Sequence, residues 1–119
     1  MIRTVLVVDD DPVFRTLAGR LLVASGLKVI GEAGTVAAAL LAAANIEPAA
    51  VLVDVGLPDG DGFTLASQLV ALPWAPYVVL TSADPDVGND DDVRRSGARA
   101  FVHKADLPNA PLAQLLGAD

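Results

Sequence analysis

The 119-residue chain contains no cysteine, which removes disulfides, thiolate metal sites and cysteine nucleophiles from consideration. Its single histidine, His103, has no metal-binding companion and reads as an ordinary strand-end residue. Basic residues are scarce, 8 Lys and Arg against 15 Asp and Glu, for a net charge of −7. No block of Lys and Arg offers a face to a phosphate backbone, so this domain is not expected to bind nucleic acid directly. Long apolar runs are missing too: the longest, Val36 to Ala44, is nine residues, where a bilayer span needs about 20. The opening "MIRTVLVVDDD" has too few apolar residues before its acids for a secretory signal. These absences leave a soluble, cytoplasmic protein with no membrane attachment as the expectation.

What is present is core material, since 53% of residues are hydrophobic, enough to exclude disorder. The length suits one domain, 1–119, with neither an internal repeat nor a linker. Short apolar runs alternate with helical patterns. "RTVLVVD" (Arg3 to Asp9), "KVIGEA" (Lys28 to Ala33), "AAVLVD" (Ala49 to Asp54), "YVVLTS" (Tyr77 to Ser82) and "AFVHK" (Ala100 to Lys104) read as strands. Asp11-Pro12 opens a helix carrying Phe14, Leu17 and Leu21, which Gly26 ends. Thr35 caps an alanine-rich helix to about Asn45, a third helix runs from Phe63 to about Leu72, and a last one from Leu107 to Leu116. "VGLPDGDG" (Val55 to Gly62) is a loop. Between Ala83 and Gly97, Asn89 can cap a short helix with Asp90, Asp91 and Asp92 in its first turn. The alternation predicts an α/β fold: a doubly wound, flavodoxin-like, five-stranded parallel sheet with helices on both faces.

In such sheets ligands bind beyond the carboxyl ends of the strands, where strand order reverses. With order 2-1-3-4-5, Asp9 and Asp10 after the first strand meet Asp54 after the third, with Thr81 and Lys104 on the far side. Each residue alone has a plain explanation: a solvated turn, a strand-end hydroxyl, a surface lysine. Asp11 is best explained as a helix cap. Their joint occurrence points to a site. Carboxylates from two strands suit a hard divalent cation such as Mg²⁺ (or Mn²⁺), and the cation plus one ammonium would balance three carboxylates. Such a pocket can receive a phosphoryl group, with Asp54 placed to attack phosphorus and Thr81 to donate a hydrogen bond.

The pieces "VLVVDDDP", "VLVDVGLPDGDGF", "VVLTSA" and "AFVHKADLP", in this order, resemble the receiver domain of two-component response regulators, of the chemotaxis-receiver class. The resemblance covers about Arg3 to Leu116. It implies that Asp54 is the phosphoacceptor, and that Asp9 and Asp10 hold Mg²⁺ together with Asp54 and the backbone carbonyl of Gly56. It further implies that Thr81 is the switch hydroxyl, Lys104 the phosphate-contacting lysine, and Phe101 the aromatic whose rotamer reports the state. A histidine kinase would be the phosphodonor, with readout by an effector protein, by an output domain missing from this chain, or through a phosphorylation-linked homodimer. Such a chain is not an enzyme, apart from catalysing its own phosphorylation and dephosphorylation. "DPDVGNDDDVRRSG" is more acidic and less apolar than that family's fourth helix. Two other readings compete. A haloacid-dehalogenase-like phosphohydrolase would use Asp9 as nucleophile and Asp11 as acid, although Pro12 stands where that family has glycine. A pseudo-receiver would bind partners without ever carrying phosphate.

Overall fold

The computed structural model describes residues 3–118. Strand β1 (Thr4–Val8) leads into helix α1 (Pro12–Ala24), strand β2 (Lys28–Ala33), helix α2 (Val36–Ile46) and strand β3 (Ala50–Asp54). A two-stranded antiparallel ladder, β4 (Gly56–Leu57) with β5 (Gly60–Asp61), occupies the expected loop and precedes α3 (Gly62–Val70) and β6 (Tyr77–Ser82). Then come α4 (Asp90–Ser96), β7 (Ala100–His103), a 3-10 helix (Lys104–Asn109) and α5 (Leu112–Leu115). The five longer strands form one parallel sheet in the order β2-β1-β3-β6-β7. With the short ladder set aside, this is the expected 2-1-3-4-5 order.

Successive strand side chains point to opposite faces, so a continuous apolar strand can feed two cores at once. Leu6, Val8, Val51, Val53 and Leu80 pack with Ala39 and Ala43 of α2 and Leu65 and Leu69 of α3. On the other face Val5, Val7, Leu52 and Val79 pack with Phe14, Ala18 and Leu22 of α1 and with Leu107, Leu112 and Leu116. Burying each Leu or Val contributes roughly 1.5–3 kcal/mol against chain entropy. These two cores fix the strand ends that carry the polar residues.

Helix starts follow side-chain chemistry. Asp11 accepts the Val13 N–H at 2.9 Å and Thr35 accepts the Ala38 N–H at 3.0 Å. Asn89 accepts the Asp91 N–H at 2.8 Å, starting a seven-residue α4. Its first turn is acidic and its last carries Arg94 and Arg95, an order that suits the helix dipole. The buried stripe of α1 is Phe14, Ala18 and Leu22; of the expected line, Phe14 is core, Leu21 packs against it half-buried, and Leu17 is 51% exposed. The register is a four-residue spacing that sets Phe14 over the sheet. The expected helix from Leu107 to Leu116 is also corrected: only Leu112–Leu115 is α-helical, after a 3-10 turn. Pro108 and Pro111 lack the N–H groups that a longer helix would need.

One cap comes from a distance. Asp59, in the β4–β5 turn, accepts the N–H groups of Val36 at 2.7 Å and Ala37 at 3.1 Å. These bonds, Val36 first, hold its carboxyl below the usual range. Its stabilising contribution is therefore present at neutral pH and lost as acid protonates it. Asp59→Ala is expected to lower the melting temperature at pH 7, with the gap from wild type closing in acid. Thermal melts across that pH range check this.

Candidate functional site

The parallel register aligns the strand ends. Val8 pairs with Val53 and Asp54 with Thr81, so Asp9 and Asp54 emerge side by side with Thr81 next to them. Oxygens of Asp9, Asp10 and Asp54 lie within 4.8 Å of one another. Lys104, just after β7, reaches back across the sheet end. Its Nζ lies 2.7 Å from Asp9 Oδ2, 3.8 Å from Asp54 Oδ2 and 4.1 Å above the Phe14 ring. The sequence-derived residues Asp9, Asp10, Asp54, Thr81 and Lys104 thus share one end of the sheet.

Burial makes this cluster costly. Asp9 is fully buried; its Oδ1 accepts the Asp11 N–H at 2.9 Å. Its Oδ2 meets Lys104 as an ion pair by distance, without the alignment of a hydrogen bond. Asp54 is 7% exposed, and its pKa is raised from 3.8 to about 6. Loss of water is the main cause, followed by the Asp9 charge; Lys104 and the Gly56 N–H pull it back down, and Asp10 adds a small upward push. Thr81 is fully buried, and its Oγ1 has no hydrogen-bond partner among the described residues. An unsatisfied buried hydroxyl costs about 1–3 kcal/mol, which a ligand oxygen at that spot would recover. An all-oxygen set with excess negative charge is the donor chemistry that Mg²⁺ or Mn²⁺ takes. The residues present fit such an ion.

Phe101 lies apart from the carboxylates. It is half-buried, and its edge meets the His103 ring with centroids 4.9 Å apart. Gly88, at φ +114, packs so close to the Phe101 ring that a Cβ there would collide with it. His103 Nε2 lies 3.0 Å from the Val87 carbonyl, so β7 grips the loop between β6 and α4 at two points. This gives His103 a tertiary contact that its sequence position did not reveal. Gly56 is exposed and a Cβ on it would meet nothing, whereas a Cβ on Gly62 would overlap the Asp54 carbonyl. Sequence reasoning missed three neighbours. Phe14 was expected only as core and also carries the Lys104 ammonium; Arg15 and Glu32 pair beside Asp9. Nothing local in the sequence marks these contacts, because each joins separate elements.

A family model described as "Response regulator receiver domain" matches residues 5–113. The chain is similar to the DNA-binding transcriptional activator DevR/DosR of Mycobacterium tuberculosis, 35% identical over 115 residues, covering 96% of this chain and 52% of that protein. It is also similar to the transcriptional regulatory protein KdpE of the same species, 41% identical over 101 residues, covering 84% of this chain and 43% of that one. Among solved structures, the signal receiver domain of NarL from M. tuberculosis superposes with a TM-score of 0.82 at 29% identity, covering 98% of each chain. The chain spans about half the length of these two curated relatives. By this match, and by a sheet that carries its acids at the switch in strand order, the chain belongs to the family of response regulator receiver domains.

Proposed function

We propose that the chain works as a single receiver unit that accepts a phosphoryl group on Asp54 and passes the change to a partner. The observation that carries this reading is a buried Thr81 hydroxyl with no hydrogen-bond partner among the described residues, on the residue that pairs in register with Asp54 across β3 and β6. In the proposed step, an Asp54 oxygen forms a bond to phosphorus as the bond to the donor breaks. The donor, a phosphohistidine of a histidine kinase or a small acyl phosphate, keeps the bonding electron pair. Lys104 neutralises a phosphoryl oxygen, and the Thr81 hydroxyl donates a hydrogen bond to another. Asp9, Asp10, Asp54 and the Gly56 carbonyl would hold Mg²⁺ or Mn²⁺, which supplies Lewis-acid neutralisation of the phosphoryl charge.

Readout would run from Thr81 to Phe101 and the β6–α4 loop that Phe101 and His103 grip. Moving such a switch from mostly inactive to mostly active requires about 5.5 kcal/mol of differential stabilisation. The receiving surface belongs to an effector protein, to an output domain like those implied by the longer relatives, or to a second copy. The exposed, charged α4 favours a polar partner face.

The geometry weighs against a phosphohydrolase using Asp9. That carboxylate is fully buried, with Oδ1 accepting the Asp11 N–H and Oδ2 ion-paired to Lys104, and Asp11 is spent capping α1. A module that never carries phosphate would leave the Asp54, Thr81 and Lys104 grouping without a purpose.

Intact-protein mass after incubation with acetyl phosphate tests the proposal. One added phosphoryl group, dependent on Mg²⁺ and absent in Asp54→Asn, supports it; no gain under any condition contradicts it. Open space over Gly56 and the exposure of Ala83 leave water a path to the site. The phosphorylated chain is therefore expected to lose its label well within hours. A time course of the same mass shift checks this, and persistence for many hours would refute the open path.

A further inference from the structure

We infer that Arg15 is a positioning residue for the cation site, holding the turn that presents Asp9 and Asp10. The inference rests on the reading of that site as a Mg²⁺ site. Arg15 is on the first turn of α1, yet its side chain folds back under the β1–α1 turn. Its Nη1 donates to the Asp9 backbone carbonyl at 2.6 Å, and its Nε donates to Glu32 Oε1, near the end of β2, at 2.9 Å. The Asp9 N–H donates to the Ala33 carbonyl, also on β2, at 2.9 Å. The Asp9 peptide groups are thus clamped from both sides to one strand end, directly through Ala33 and through the planar fork of Arg15 seated on Glu32. The fork geometry matters because an ammonium cannot serve both acceptors in the same plane.

Charge and geometry predict opposite effects here. A guanidinium bonded to the Asp9 backbone carbonyl repels a metal cation held by that residue's carboxylate, so deleting it should tighten metal binding on charge alone. As a clamp, deleting it should weaken binding, because the carboxylates lose their fixed convergence. Outer partners of this kind typically change metal affinity by about 10–100-fold.

The test is Mn²⁺ binding to the full chain, followed by the electron paramagnetic resonance signal of the free ion, with circular dichroism and thermal melts of the metal-free proteins alongside. Arg15→Ala is expected to weaken Mn²⁺ binding by about 10-fold or more. Arg15→Lys keeps the charge but loses the fork, and is expected to weaken binding by several-fold. Unchanged or tighter binding in Arg15→Ala would overturn the inference. Should Arg15→Ala fail to fold, unchanged affinity in Arg15→Lys would overturn it equally. Absence of Mn²⁺ binding by the wild-type chain would instead overturn the site reading itself, and this inference with it.

Discussion

Asp54→Asn is expected to make the metal-free protein more stable at pH 7.5, although it removes the residue on which the proposed function depends. The folded-state pKa of Asp54 is about 6, against an ordinary 3.8, because burial and the Asp9 charge oppose its ionisation. The folded chain therefore holds this proton more tightly than the unfolded chain does. A raised carboxyl contributes stability below its unfolded pKa and loses it as pH rises through the folded value. Above pH 6 the ionised group is a net cost, at most about 3 kcal/mol and nearer about 1–2 once residual solvent is allowed for. Asn carries no charge, so the variant's advantage should open between about pH 4 and 6 and vanish below it. Urea titrations of both proteins at several pH values check this. Added Mg²⁺ should then reverse the order, since an ion that binds only the folded state stabilises the wild type by mass action. A variant less stable than wild type at pH 7.5 without metal would contradict the account of the site as charge-strained.

The second large effect is expected from Lys104→Met. The Lys104 ammonium is the cation that faces both Asp9 and Asp54 among the described residues. Removing it leaves the fully buried Asp9 carboxylate with one N–H donor and, among the described residues, no ion-pair partner. Removing one partner of a buried pair strands the other, and a loss of about 3 kcal/mol is expected. The same change raises the pKa of Asp54 further, because Lys104 is one of the groups pulling it down. Phosphorylation by acetyl phosphate should slow accordingly at neutral pH. Two controls separate charge from packing. Added Mg²⁺ should restore part of the stability, and Lys104→Met combined with Asp9→Asn should recover most of it, since neither partner is then left charged. A loss below about 1 kcal/mol in the single variant would show that Asp9 is not the buried, dependent anion described here.

The readability of this chain in its sequence follows from how each feature is encoded. Strands β2 and β6 appear at their expected bounds and the other long strands within one residue, because short apolar runs between turn residues have few alternative structures. Asp9, Asp54, Thr81 and Lys104 were identifiable because topology alone places carboxyl ends of parallel strands on one rim. Contacts that depend on side-chain reach were not legible. Arg15 bonds across the turn to Asp9 and over to Glu32, and Asp59 caps a helix that begins 23 residues earlier. His103 looked unremarkable until the β6–α4 loop folded over it. The shortened α5 is a different case, because its signal was present. Leu112, Leu115 and Leu116 gave a helical period, but Pro108 and Pro111 outweighed it. Likewise Leu17 fits an apolar spacing in α1, yet from Phe14 the fully packed positions run in steps of four, through Ala18 to Leu22.

The most direct test of the central claim is to locate the phosphoryl group chemically. An acyl phosphate is reduced by borohydride to the alcohol, so the chain treated with acetyl phosphate and Mg²⁺, then reduced and digested, should carry homoserine at position 54 and nowhere else. Homoserine at position 9 or 10, or none in protein that has gained phosphate, would contradict the assignment of Asp54 as the acceptor.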